Sequence, residues 1–276
     1  LKVVTTLHTT CKVREITVVA PCLWYQAQDK AHARREPISV RNVANDLINR
    51  GMGHIIVTSL HAEQIEIAFE SFDHLKMEPL FATYIENRFD TDDELVFVSP
   101  DEGGVRMREE LIKNVDPRLV YGVASVAQLR DREQPDKKSV LELVGDVEGK
   151  TVIILDDMLR SGSTMFNAAK AAKDAGAKRV IGLATHFYGF SSASGTFGQR
   201  LVNSEIDELV VTNTRGEADS RVKEGTLLRQ RMTVLDISPY LGRAIRSYHM
   251  GDTVKEMLKG MDRNDLYSIV HRADKE

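Results

Sequence analysis

Val152-Ile153-Ile154-Leu155-Asp156-Asp157-Met158-Leu159-Arg160-Ser161-Gly162-Ser163-Thr164 is the stretch on which the reading of this chain turns. Four apolar residues, three of them β-branched, predict a short buried strand. Two carboxylates stand at its C-terminal end. A turn of small and hydroxyl-bearing residues follows, and an Ala-rich helix over 165–175 begins at once. Backbone N–H groups of such a turn, with the helix N-terminus behind them, suit a phosphate. Ser161, Ser163 and Thr164 add hydroxyl donors. Asp156 and Asp157 are anions and cannot be phosphate ligands themselves. They are placed to accept hydrogen bonds from sugar hydroxyls, directly or through a hydrated Mg²⁺. The layout is that of a sugar-phosphate site. A plainer reading is a strand-to-helix turn with an acidic N-cap, but Asp-Asp with Ser-Gly-Ser-Thr is more than capping requires.

On either side of this stretch, strand-like runs alternate with helical patterns. Strands are expected at 15–21, 54–58, 95–99, 119–125, 179–184, 208–212 and 232–236. An amphipathic helix is expected over 39–50, with Ser39 as N-cap and Val43, Leu47 and Ile48 on one face. Gly51-Met52-Gly53 ends it. Strands separated by helices of this length imply a mostly parallel α/β sheet. Ligands of such sheets bind beyond the carboxyl ends of the strands, where both 100–104 and the Asp156 stretch would lie. Residues 130–138 read RDREQPDKK and carry no apolar periodicity. They suit either a solvated loop or a charged flap over a phosphate site. Residues 249–276 suggest one or two short amphipathic helices, with Val254, Met257, Leu258 and Met261 on the side that would pack against a neighbour.

At 276 residues the chain can hold one large domain or two small ones. Its hydrophobic content of 42% is ordinary for a globular protein. No apolar run approaches the ~20 residues needed to span a bilayer, and no secretory signal is visible. Cys11 and Cys22 are the only cysteines and belong to no motif. The expectation is a reducing, cytoplasmic setting, with both thiols buried as small hydrophobes. A net charge of −4 gives no general drive toward nucleic acid or an anionic membrane. Phosphate binding must therefore come from local clusters.

The Asp156 stretch resembles the PRPP loop of the type I phosphoribosyltransferase fold. Further stations recur in order: Tyr25-Gln26-Ala27-Gln28-Asp29-Lys30, Glu36-Pro37-Ile38-Ser39, Ser59-Leu60-His61-Ala62-Glu63-Gln64-Ile65 and Glu78-Pro79-Leu80. Ser99-Pro100-Asp101-Glu102-Gly103-Gly104 and Gly145-Asp146-Val147 come next, then Ala184-Thr185-His186 and Val211-Thr212-Asn213-Thr214. Together they resemble the ribose-phosphate pyrophosphokinase, or PRPP synthetase, family from about residue 14 to about residue 247. Phosphoribosyltransferases share the loop but lack the L-H-A-x-Q-I and S-P-D-x-G-G stations. The resemblance implies an α/β fold of two similar lobes, each a mostly parallel sheet flanked by helices. Residues 1–77, with 239–276 packing back, would form an ATP and metal lobe, and 78–238 a ribose-phosphate lobe. Set against the family, the first lobe is expected to be incomplete at its N-terminus.

That family transfers the diphosphoryl group of ATP to the C1 hydroxyl of ribose 5-phosphate, giving PRPP and AMP for nucleotide biosynthesis. By resemblance the cofactor is Mg²⁺ and the partners are ATP and ribose 5-phosphate. A homo-oligomer built from dimers, up to a hexamer, is also implied, with no nucleic-acid or membrane partner. His61 and Asp101 match the metal residues, and Gln28, Asp29 and His61 the ATP side. Gly103 and Gly104 match a turn against the diphosphate, and Asp156 and Asp157 the ribose hydroxyls. Arg160, Ser161, Gly162, Ser163 and Thr164 match the loop around the 5-phosphate. Arg130 and Arg132 fall in the catalytic flap. His32, Arg34 and Arg35 are nearby cations that suit either ATP phosphates or a solvated loop.

Three positions depart from the family pattern. Arg130 replaces a Lys, Ala27 an ATP-contacting Arg, and Arg160 an Asp of the phosphate loop. A planar guanidinium fork is not equivalent to a compact ammonium. Two further readings therefore stand beside the enzyme: a non-catalytic homologue that binds nucleotide or sugar phosphate and regulates a true synthetase, and a phosphoribosyltransferase using PRPP.

Overall fold

A computed structural model describes residues 1–31, 33–101, 103–129, 140–216, 228, 230–254, 257 and 266; at 128, 129, 140 and 141 it describes the backbone alone. The chain divides into two compact units. One holds Leu1–Lys76 and the segment from Tyr240; the other holds Met77–Pro239.

The first unit is built on three parallel strands, β1 (Thr17–Ala20), β2 (His54–Thr58) and β3 (Phe72–Leu75), in the order β1-β2-β3. Every residue of the central strand is buried, in keeping with its apolar run Ile55-Ile56-Val57. A short helix α1 (Lys2–Thr5) runs into a π-helical turn, Thr6–Thr10. Helix α2 (Ser39–Asn49) buries Val40, Ala44 and Leu47, spaced i, i+4, i+7, against the core that includes Ile55 and Val57. The expected face is thus rotated slightly: Val43 and Ile48 only flank the buried stripe. Ser39 is not the N-cap. Ile38 holds that position without a side-chain bond; the Arg41 and Asn42 N–H groups donate to its carbonyl, and the Val40 N–H donates to the Gln28 carbonyl of a neighbouring loop. The cysteines also differ from expectation. Cys11 follows the π-turn and is exposed; Cys22 is half-buried, its Sγ accepting from Gln26 Nε2 at 3.6 Å.

The second unit carries seven strands: β4 (Leu95–Ser99), β5 (Val120–Leu129), β6 (Val140–Val144), β7 (Thr151–Leu159), β8 (Arg179–Phe187), β9 (Glu208–Thr212) and β10 (Met232–Leu235). Their order is β10-β9-β8-β7-β4-β5-β6, parallel except for β6, which runs antiparallel to β5. The expectation of a mostly parallel α/β sheet is met. Helices α3 (Glu78–Arg88), α4 (Val105–Asn114), α5 (Ser163–Asp174) and α6 (Phe197–Val202) accompany it. Helix α5 lays Met165, Ala168, Ala169 and Ala172 into the core, small residues that let a helix approach the sheet closely. Gly182 in β8 completes that fit, since a Cβ there would stand 2.5 Å from Met165 Sδ. Strand β7 does not stop before the aspartates. It runs through them to Leu159, because β8 continues alongside and pairs with Asp156, Met158 and Leu159. The last helix, α7 (Ser238–Met250), buries Tyr240, Ala244 and Ser247. Among the described residues no helix is long and apolar enough to cross a membrane. Most of the expected 249–276 helices falls outside the described residues.

Candidate active site

Strands β4, β7, β8 and β9 are parallel neighbours, so their carboxyl ends share one edge of the sheet. From β4 the chain moves outward to β5 and β6, then returns on the other side of β4 as β7. The strand order therefore reverses between β4 and β7, the place where open α/β sheets take their ligands. Asp101 follows β4, and Asp156 and Asp157 lie near the end of β7.

These three carboxylates act on one another. The Asp156 carboxyl is pushed up to about 8, first by burial, then by the charge of Asp157, a hydrogen bond to it, and the charge of Asp101. Asp157 is itself 9% exposed. One Asp101 oxygen accepts the Gly104 N–H at 3.0 Å, closing the turn that starts α4, with Gly104 as N-cap and Gly103 inside the turn. The Ser99 hydroxyl donates to the Asp101 carbonyl and tightens the same turn.

Beyond the end of β7 lies a cavity of about 370 Å³. Asp156, Arg160, Ser161, Gly162, Ser163 and Thr164 all line it, with Phe190 and Ser191 from the segment after β8. Asp157 does not line it. Gly162 has φ +78° and is the N-cap of α5, which no side chain caps. A Cβ at Gly162 would stand 2.7 Å from the Phe166 ring and 3.1 Å from that of Phe197, so only glycine fits without rearrangement. The acidic N-cap of the plainer reading is thus not what this turn is for. Ser161 Oγ and Ser163 Oγ are 3.1 Å apart, and both hydroxyl-bearing residues stand in the cavity wall.

Arg200, on α6, was not legible as part of this site. Its guanidinium donates to the Ser161 carbonyl at 2.5 Å and to Ser163 Oγ at 2.9 Å, and lies over the Phe166 ring. The Thr196–Gln199 capping box announces α6 in the sequence, but nothing local says where its Arg will reach. At the ends of β8 and β9, His186 is fully buried and its Nδ1 meets Thr214 Oγ1 at 3.0 Å. Thr212 and Thr214 both donate to the Thr185 carbonyl. These two late stations form a buried polar floor beside β7.

The remaining candidates belong to the first unit. Asp29 is tied to Gln64 by a hydrogen bond from Gln64 Nε2 to Asp29 Oδ2. Gln28 supplies the carbonyl that receives the Val40 N–H. His61 is exposed and precedes the 3₁₀ helix Glu63–Ala68, whose N-cap is Ala62; it does not cap that helix. Arg34 and Arg35 are exposed, and Arg35 has φ +69°. Arg130, Arg132 and His32 lie outside the described residues.

Comparison with known proteins agrees with this geometry. Residues 111–259 match the phosphoribosyl synthetase-associated domain, and residues 1–51 match the N-terminal domain of ribose phosphate pyrophosphokinase. The chain is 38% identical over 234 residues to a ribose-phosphate pyrophosphokinase of Streptomyces coelicolor, covering 84% of this chain and 68% of that one. It is 34% identical over 245 residues to the ribose-phosphate pyrophosphokinase of Aquifex aeolicus, covering 88% and 73%. A crystal structure of phosphoribosylpyrophosphate synthetase from Mycobacterium smegmatis superposes with a TM-score of 0.76 at 33% identity, over 91% of this chain and 76% of that one. The parallel sheet, the carboxylates at its switch point and the cavity beyond β7 thus coincide with likeness along nearly the whole sequence, and the chain belongs to the ribose-phosphate pyrophosphokinase family.

Proposed function

We propose that this chain is a Mg²⁺-dependent ribose-phosphate diphosphokinase. The C1 oxygen of ribose 5-phosphate attacks the β-phosphorus of ATP, the bond from that phosphorus to the α–β bridging oxygen breaks, and AMP leaves. The proton of the C1 hydroxyl is lost in the same step. The observation that carries this reading is the cavity beyond β7, whose wall includes Asp156, the hydroxyl-bearing residues of the turn and the helix N-terminus. Ser161, Ser163, Thr164 and the backbone around Gly162 bind the 5-phosphate, and Arg160 adds a cation. Asp156 and Asp157 accept from the ribose hydroxyls. Gly103 and Gly104 face the diphosphate. Gln28, Asp29 and His61 meet ATP, and Arg130 and Arg132 offset charge on the group in transfer.

The residues fit a magnesium ion. Asp101, Asp156 and Asp157 are mutually repelling carboxylates, a repulsion that a divalent cation relieves. Among the described residues no three His, Cys, Asp or Glu side chains form a cage. Mg²⁺ is usually held by one or two carboxylates, waters and substrate phosphates. Asp101 is its proposed protein contact in the second unit, and His61 is proposed for a metal contact in the first. When bound, it would neutralise the phosphate oxygens and hold them for in-line attack.

The test is to incubate the protein with ribose 5-phosphate, Mg²⁺ and ATP and to measure AMP and PRPP together. Equal yields establish the activity. Saturable binding of ribose 5-phosphate without product would instead favour the regulatory homologue, to which Ala27 and Arg130 point.

A further inference from the structure

The turn that carries His61 is held in an unusual way. Ser59 has φ +31°, a strained value for a residue with a Cβ. Such strain persists only where the surroundings over-determine it. Here three successive backbone N–H groups are each tied to a different partner. Ser59 N donates to the Leu75 carbonyl at 3.3 Å, Leu60 N to His74 Nε2 at 3.1 Å, and His61 N to Gln26 Oε1 at 3.1 Å. Gln26 is 1% exposed, and the His74 side chain 13%.

We propose that His74 is a positioning residue for His61, acting as the neutral Nδ1–H tautomer whose Nε2 fixes the Leu60–His61 turn. The inference rests on the role of His61 in ATP binding proposed above. The tautomer follows from the two contacts of the ring. Nε2 faces a backbone donor and must be the acceptor, so Nδ1 carries the proton and donates to Glu66 Oε1 at 3.1 Å. Burial holds the imidazole below its usual range and outweighs Glu66; Lys76 acts in the same sense as burial, Glu63 against it. A charged ring would have no lone pair left for Leu60. Glu66 thus sets the tautomer, His74 sets the turn, and Gln26 clamps the turn from the other side.

Three variants separate this role from simple packing. His74→Phe keeps a ring and removes the acceptor. His74→Asn keeps a polar atom near Nδ1 but cannot reach Leu60. His74→Gln restores an acceptor near Nε2. The expected result is a fall in kcat of about tenfold or more for the Phe and Asn variants, with KM for ribose 5-phosphate unchanged and most of the rate regained in the Gln variant. Amide hydrogen exchange at Leu60 and His61 should quicken in the same two variants and slow again in the third. Wild-type kcat together with wild-type KM for ATP in a folded Phe variant would overturn the proposal, as would a Gln variant no better than Phe. Should the wild-type protein make no PRPP, the proposed activity fails, and the exchange rates alone decide the positioning role: no change at Leu60 in the Phe variant overturns it.

Discussion

Asp156 holds its proton far more tightly in the fold than in the open chain. Its carboxyl, ordinarily near 3.8, is pushed up to about 8 by burial and by the charge of Asp157. The native state therefore binds more protons, and stability from this group is complete below about pH 4 and falls as pH rises toward 8. Ligand-free protein should lose melting temperature between pH 6 and 8.5, and Asp156→Asn should flatten that slope; an unchanged slope would remove Asp156 as its source. Mg²⁺ with ribose 5-phosphate should flatten it as well, by offsetting the exposed charge. Arg200 offers a second test at this scale. Arg200→Ala removes two hydrogen bonds from the phosphate loop and should raise KM for ribose 5-phosphate about tenfold or more. Arg200→Lys should recover little, since one ammonium cannot span both acceptors. An Ala variant with wild-type KM would show that the loop holds its shape without this clamp.

The element that matters most is the unit from β7 through the Ser161–Thr164 turn into α5. Its existence was legible because each part has a local cause: β-branched residues for a strand buried on both faces, small residues for the turn, alanines for a closely packed helix. Its boundaries were not. The strand absorbs both aspartates because β8 pairs beyond them, and α5 begins two residues early because Gly162 takes the N-cap with φ +78°. Gly162→Ala should keep the fold at a cost of about 1–3 kcal/mol while strongly weakening ribose 5-phosphate binding, because the two Phe rings and the loop must give way. Calorimetric titration with ribose 5-phosphate, alongside circular dichroism, checks both halves; full affinity in the Ala variant would mean that the turn need not adopt this shape. The Ser39 cap differs for a related reason: the helix starts one residue earlier, with Ile38 as N-cap, whose carbonyl receives the Arg41 and Asn42 N–H groups that a Ser39 cap would have served.

At the scale of the molecule, ligand binding and stability are one equilibrium. Ribose 5-phosphate at a hundredfold over its Kd should stabilise the state that binds it by about 2.7 kcal/mol. A thermal scan should therefore show a higher Tm in wild-type protein and a much smaller rise in Asp156→Asn; no rise in the wild type would count against the cavity as the sugar-phosphate site. The sequence by itself determined the alternation of strands and helices, the parallel sheet, the phosphate turn and the family, because propensity, periodicity and short motifs are set by residues within one or two turns of each other. The tertiary structure alone decided that Arg200 clamps the loop, that Asp156 but not Asp157 lines the cavity, that Cys11 is exposed, and that His74 and Gln26 grip the His61 turn. Each of those depends on which distant segment arrives beside a given atom, and on the burial that arrival imposes, and neither is written in local sequence.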